Sequence, residues 1–262
     1  MRTGYNPTRR NRNIGTSKQG HGKNNRLVVP KDRRLLSFLD RVGDHISETR
    51  TVQGRRVTFI VERVRAGSFH PCSISDVARV LELVPVSDWG GIDTIFFRQP
   101  TRKEAILKPA WGRLRYFGEI STSSGRVVAA GPMILLEAID EGLRVDWSSS
   151  LDPEDQAELD RLRADGHAVD REGPRYTVSV TAPSARNTQL YRTLLHEIGH
   201  WFDWLEKVEA PAHRGEVYND LADFYFARPA AEREAFAHRY AEKIYRQLVQ
   251  LGSIPFEPAS RE

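Results

Sequence analysis

One cysteine, Cys72, occurs in 262 residues, which excludes an internal disulfide and any zinc site built on clustered thiolates, and leans towards a reducing compartment. Long hydrophobic runs are also missing. The longest, from Val127 to Ile139, is broken by Gly131 and Pro132 and falls far short of the ~20 apolar residues that span a bilayer. Met1 to Asn13 carries charge with no apolar stretch behind it, so no secretory signal is read there. These absences predict a chain without a membrane span, cytoplasmic or released without a classical signal peptide.

Acid is scarce at the N-terminus. Residues 1–34 hold ten basic residues against the single acid Asp32, a charge of +9 within an overall +4, so the remainder is acidic by about 5. Almost no apolar residue precedes Leu27, and such a segment cannot offset its chain entropy by burial. The reading is a disordered basic tail over residues 1–30 and a folded domain over 31–262. The tail suits nucleic acid or an acidic surface as a partner, through residues 1–34, or serves only as a solubilising terminus. No aromatic interleaving or nucleic-acid motif accompanies the charge.

The folded part is long enough to bury a core without a metal staple, so a metal site here would serve chemistry. Hydrophobic periodicity predicts a helix from Lys31 through about Ile46, a strand over Arg55–Val64 and a helix over Ser75–Leu83 that starts from Ser-x-x-Asp and ends before Pro85. Strands are expected over Thr94–Arg98, Ala105–Lys108, Leu114–Ile120, Arg126–Ala130, Met133–Ala138 and Leu143–Trp147. Turn signals between them favour antiparallel hairpins. Asp152-Pro153-Glu154 starts an acidic helix that Gly166 stops, read as a surface insertion. A strand over Arg175–Val180 leads through Pro183-Ser184 into a helix, and after a loop holding Pro211 and Gly215 helical pattern resumes near Asp220, breaks at Pro229 and runs from Ala230 to about Leu251. Strands followed by helices indicate an α+β fold, with 171–262 as its functional core and 31–170 as a less defined N-terminal part.

That first C-terminal helix carries His196-Glu197-Ile198-Gly199-His200. Histidines four apart on a helix lie about 40° apart and one turn along, so they can share one metal. Glu197 falls about 60° from His200 on the same side, where a carboxylate reaches a metal-bound water without ligating. Zn2+ held by two neutral imidazoles acidifies that water, and Glu197 is the general base. Leu190, Tyr191, Leu194, Leu195, Ile198, Trp201, Phe202 and Leu205 form an apolar face nearly opposite the histidines, so the helix backs onto the core and fronts a cleft.

A third ligand is needed. The glycine that would turn the chain in a metzincin is replaced by Asp203, and Glu206 on a continuing helix lies about 9 Å past His200 and round the axis. His213, in the Pro/Gly-bounded loop, competes. Glu234 fits better, because Ala237, Ala241, Ile244 and Leu248 form the buried stripe of the last helix and Glu234 sits on its flank, whereas Glu232 and Glu242 point away.

His196, Glu197 and His200 followed by Glu234-Ala235-Phe236-Ala237 resemble the gluzincin branch of zinc metallopeptidases, notably the anthrax lethal factor catalytic group, and also ImmA/IrrE-type peptidases. The resemblance covers about 190–245. It implies a zincin-like fold, with a twisted, mostly antiparallel sheet above the active-site helix and a C-terminal helical part. It also implies a protein or peptide substrate that pairs with an edge strand, here within Leu114–Ala138. Lethal-factor-like enzymes place a tyrosine before the third ligand to stabilise the oxyanion; Tyr225 takes that role here, although its spacing departs from theirs, and Tyr218 is the other choice. Asp203 would orient a ligand or lie on the surface. The expected activity is zinc-dependent peptide hydrolysis. A nucleic-acid-associated protein with a structural zinc helix, or a metalloprotease toxin or effector domain, are the other readings.

Overall fold

The structure is a computed structural model that describes residues 38–107, 110–148, 150–173 and 175–258. The basic tail, and residues 31–37 of the expected first helix, lie outside the described residues. The rest of that helix is absent: β1 (Phe38–Val42) and β2 (His45–Val52) replace it. Burial in β1 alternates with period two, Asp40 and Val42 facing inward and Leu39 and Arg41 outward. The inward Asp40 disguised this alternation. It lies 3.5 Å from both Arg98 and Arg115, and such pairing is what permits a carboxylate inside.

β3 (Arg55–Glu62) pairs antiparallel with β2, and the two-residue β4 (Ser68–Phe69) follows. α1 (Ile74–Leu83) begins at a capping box in which Ser73 and Asp76 each accept the other's backbone N–H. α2 (Val86–Trp89) leads to β5 (Thr94–Arg98). The strand expected over Ala105–Lys108 lies instead in α3 (Arg102–Leu107), apart from Lys108, which is outside the described residues. Here Thr101 and Glu104 make the same reciprocal cap, which helix formation favours over pairing.

β6 (Gly112–Thr122) and β7 (Val127–Glu137) form a long hairpin, and β8 (Ile139–Asp140) pairs with β4. The two strands expected on either side of Gly131-Pro132 are one, because the register shifts in the facing strand and the positive φ of Gly131 absorb the irregularity. The main sheet runs β1-β6-β7-β5-β3-β2. It is mixed rather than mostly antiparallel, since β5 pairs parallel with both β3 and β7. β9 (Arg144–Ser148), α4 (Pro153–Ala164), β10 (Ala168–Glu172) and β11 (Arg175–Ser179) follow, the three strands forming a separate antiparallel sheet. α4 is more than a surface insertion: its Leu159 and Leu162 are buried against Val178.

The chain then stays helical from 182 to 213. α5 (Ala182–Asn187) opens it, capped by Thr181 and Ser184. A π-helical segment, Thr188–Thr193, leads into α6 (Leu194–Trp204), and a second, Leu205–Glu209, into α7 (Ala210–His213). The Pro211 region expected as loop is thus still helix. α8 (Tyr218–Ala227) and α9 (Ala230–Gln250) complete the fold, interrupted at Pro229 as the sequence indicated. One core joins α1, α2, α6 and α9 to the sheet, with Val57, Phe59, Ile95 and Phe97 meeting Leu194, Leu195 and Ile198. The architecture is α+β. Among the described residues no helix is long and apolar enough to cross a membrane.

Candidate metal centre

Helix α6 is seated on the sheet by side chains that precede the motif. Gln189 donates to the carbonyls of Trp111 and Glu137 at 2.8 and 2.9 Å, tying the π-helical turn to β6 and β7. A Cβ on Gly112 would stand 2.8 Å from the Thr193 methyl and the Leu135 carbonyl, so the first residue of β6 is glycine where strand and helix nearly touch. Leu190, Leu194, Leu195 and Ile198 are fully buried and Trp201 nearly so. That leaves His196 and His200 on the opposite side.

α9 approaches this helix at Gly199. A Cβ there would lie 3.0 Å from the Ala237 carbonyl and from Tyr240 Cδ1, so any larger residue would push α9 away. Close packing at Ala237 delivers Glu234, just under one turn earlier on α9, to the histidines. Its Oε2 is 3.2 Å from His196 Nε2 and its Oε1 3.5 Å from His200 Nε2. Ligand atoms of His196, His200 and Glu234 all fall within 4.8 Å of one another. Three donors at about 2.1 Å from one tetrahedral zinc would be separated by about 3.4 Å, and the two short separations, which are polar contacts between the side chains themselves, match that spacing. The donor set, two imidazoles and a carboxylate, suits zinc.

Charge follows this geometry. Hydrogen bonds to His196 and His200 hold the Glu234 carboxyl well below the usual carboxylate range, against partial burial. Burial would lower His200, but the Glu234 bond and the Glu197 and Glu234 charges raise it above its ordinary value. Glu197 is buried, and its Oε2 accepts the Leu114 backbone N–H of β6 at 2.7 Å. A second carboxylate is thereby fixed beside the imidazoles by the strand above them.

The other expected residues fall around this centre. His213, at the end of α7, has Nδ1 2.7 Å from the Glu209 carbonyl and is not a member of the triad. Tyr225 is buried on α8, its hydroxyl 2.9 Å from that of Tyr116 and 3.4 Å from the His200 carbonyl. Burial and the Asp203 charge push it up to about 12, with the Tyr116 bond opposing. Tyr218 instead bonds Glu209 at 3.2 Å. Asp203 is fully buried and pairs with Arg228 at 2.8 Å, so it fastens α8 to α6.

Two neighbours escaped the sequence reading. Tyr116, on β6, carried no signal beyond an aromatic in a strand, because only the fold brings it to His200. His238 did carry one: it lies one helical turn beyond Glu234 and therefore on the same side of α9. Its ring centre is 4.4 Å from that of His196, and it opens onto a cavity of about 550 Å³ between α4 and α9. Desolvation, with the His196 and Arg161 charges, lowers His238 to about 4. The chain matches no family model, no curated protein and no solved structure.

Proposed function

We propose that this chain is a zinc-dependent hydrolase that cleaves a peptide bond. The observation that carries the reading is the convergence of His196, His200 and Glu234 within 4.8 Å, with the Glu197 carboxylate fixed beside them. His196 and His200 would bind zinc through Nε2 and Glu234 through its carboxylate. Zinc in such a site lowers the pKa of a water to about 7 and polarises a carbonyl.

Glu197 takes the proton of the attacking water on its free oxygen while the Leu114 N–H holds the other. Once protonated, the same carboxyl is an acid, and it delivers that proton to the departing amine nitrogen. A structural metal site would not require this second, non-ligating carboxylate. Tyr116 and Tyr225 are kept as phenols by burial, and the Tyr225 O–H, bonded to the His200 carbonyl in the resting structure, would leave that carbonyl to donate to the developing oxyanion.

The test combines elemental analysis with cleavage of a peptide library. Wild type is expected to hold one zinc per chain and to cleave, Glu234→Ala to lose the metal and His213→Ala to keep it. Glu197→Gln should keep zinc and lose turnover by at least about 100-fold. Zinc retained in Glu234→Ala, or turnover retained in Glu197→Gln, would sink the reading.

A further inference from the structure

Arg233 precedes Glu234 on α9, yet no carboxylate among the described residues pairs with it, and its Nε is buried without a hydrogen-bond partner. Neighbouring arginines are engaged: Arg228 binds Asp203 at 2.8 Å, and Arg192 binds Asp165 at 2.8 Å. Arg233 instead lies against two rings of α8, its guanidinium carbon 5.7 Å from the Tyr225 centroid and 5.6 Å from that of Phe226. Cation–π contact offsets part of the lost hydration without neutralising the charge.

This held charge lies beside the site. The Tyr225 ring it touches carries a hydroxyl 3.4 Å from the His200 carbonyl, and the Tyr116 ring on β6 is 5.4 Å from Phe226, so the guanidinium sits where β6, α8 and the motif helix meet. Phe226 is partly exposed and Phe224 largely so, leaving the rim open to a ligand. A guanidinium is a planar fork of donors matched to a carboxylate, and the nearby acids that could satisfy it are already committed to Arg228 or to the histidines.

We propose that Arg233 anchors a carboxylate of the substrate, an acidic side chain or the chain terminus, so that acidic peptides are preferred. The proposal rests on the peptide reading above. Its test reads binding rather than turnover, using the full chain as the zinc-loaded Glu197→Gln variant. The probes are fluorescein-labelled decapeptides of one neutral host sequence, carrying Asp or Asn at each position in turn, and the host ended as free acid or amide.

At one position, or at the terminus, the carboxylate form is expected to bind about ten-fold tighter, equivalent to about 1.4 kcal/mol. Adding Arg233→Gln should collapse that ratio while Arg233→Lys keeps part of it, both with one zinc per chain. Which arm responds identifies a side chain or a terminus as the source of the carboxylate. No preference at any position, or one that survives Arg233→Gln, overturns the inference. A wild-type chain that cleaves none of these peptides while the binding preference stands would overturn the peptidase reading and support the anchor.

Discussion

The backbone N–H of Leu114 donates to Glu197 Oε2 at 2.7 Å, so the proposed base is oriented by the strand that crosses above it. Glutamine can still accept this bond through its side-chain carbonyl, whereas alanine leaves a part-buried N–H without its acceptor. Glu197→Gln is therefore expected to unfold within about 0.5 kcal/mol of wild type, and Glu197→Ala to lose about 1–3 kcal/mol. Denaturant unfolding of the two apo variants checks this. Equal stabilities would show that the bond does not hold the strand to the helix.

Gly199 sets how closely α9 approaches. Adding a methyl there meets the Ala237 carbonyl and Tyr240 ring at 3.0 Å, and overpacking of this kind costs about 1–3 kcal/mol. The displaced element is the one that carries Glu234. Gly199→Ala should consequently lower both the thermal midpoint and the zinc affinity, measured by competition with a chromogenic chelator. An unchanged affinity would mean that Glu234 follows the displacement freely.

Zinc affinity should depend on pH. Ligation requires a neutral imidazole, and His200 is raised above its ordinary 6.5 by Glu234 and Glu197 despite burial. Protons thus compete with the metal from above pH 6.5 downward. The apparent dissociation constant, titrated between about pH 8 and 5.5, should weaken progressively over that interval. A flat profile would exclude His200 as a ligand.

Acid should also loosen α4. Burial would raise Glu158, but bonds and charges from Arg192 and Arg161 hold it below its ordinary value. A carboxylate depressed in the folded state stabilises the fold above its unfolded pKa, near about 4.3, and that contribution is lost as pH falls through the folded value. Glu158→Gln is expected to cost about 1 kcal/mol or less at about pH 7. Its thermal midpoint should converge with wild type as pH falls through the depressed folded value of Glu158. A gap that persists there would assign the effect to packing.

The motif helix was legible because its apolar residues recur on one face, and the flank position of Glu234 could be read from the Ala237, Ala241, Ile244 and Leu248 stripe, all of which are buried. What defeated the reading was burial of polar residues. Asp40 points inward in β1 and hid a strand, while the helix over the expected Ala105–Lys108 strand is set by the cap between Thr101 and Glu104 just before it. Tyr116 and Leu114 lie more than 80 residues from the motif residues they meet, and only the pairing of β6 with β7 sets them over it. Nothing in the sequence singles out Arg233, because what marks it is a buried Nε without a hydrogen-bond partner.

The two π-helical segments flank the motif on both sides, Thr188–Thr193 before it and Leu205–Glu209 after it. Each widened turn bonds i to i+5 and so takes up an extra residue. A wheel drawn from the histidines therefore goes out of phase on crossing either boundary. Anyone transplanting this helix into another scaffold would need to move residues 188–209 as a unit, because trimming to the motif alone would remove Gln189 and Val208, whose contacts seat it.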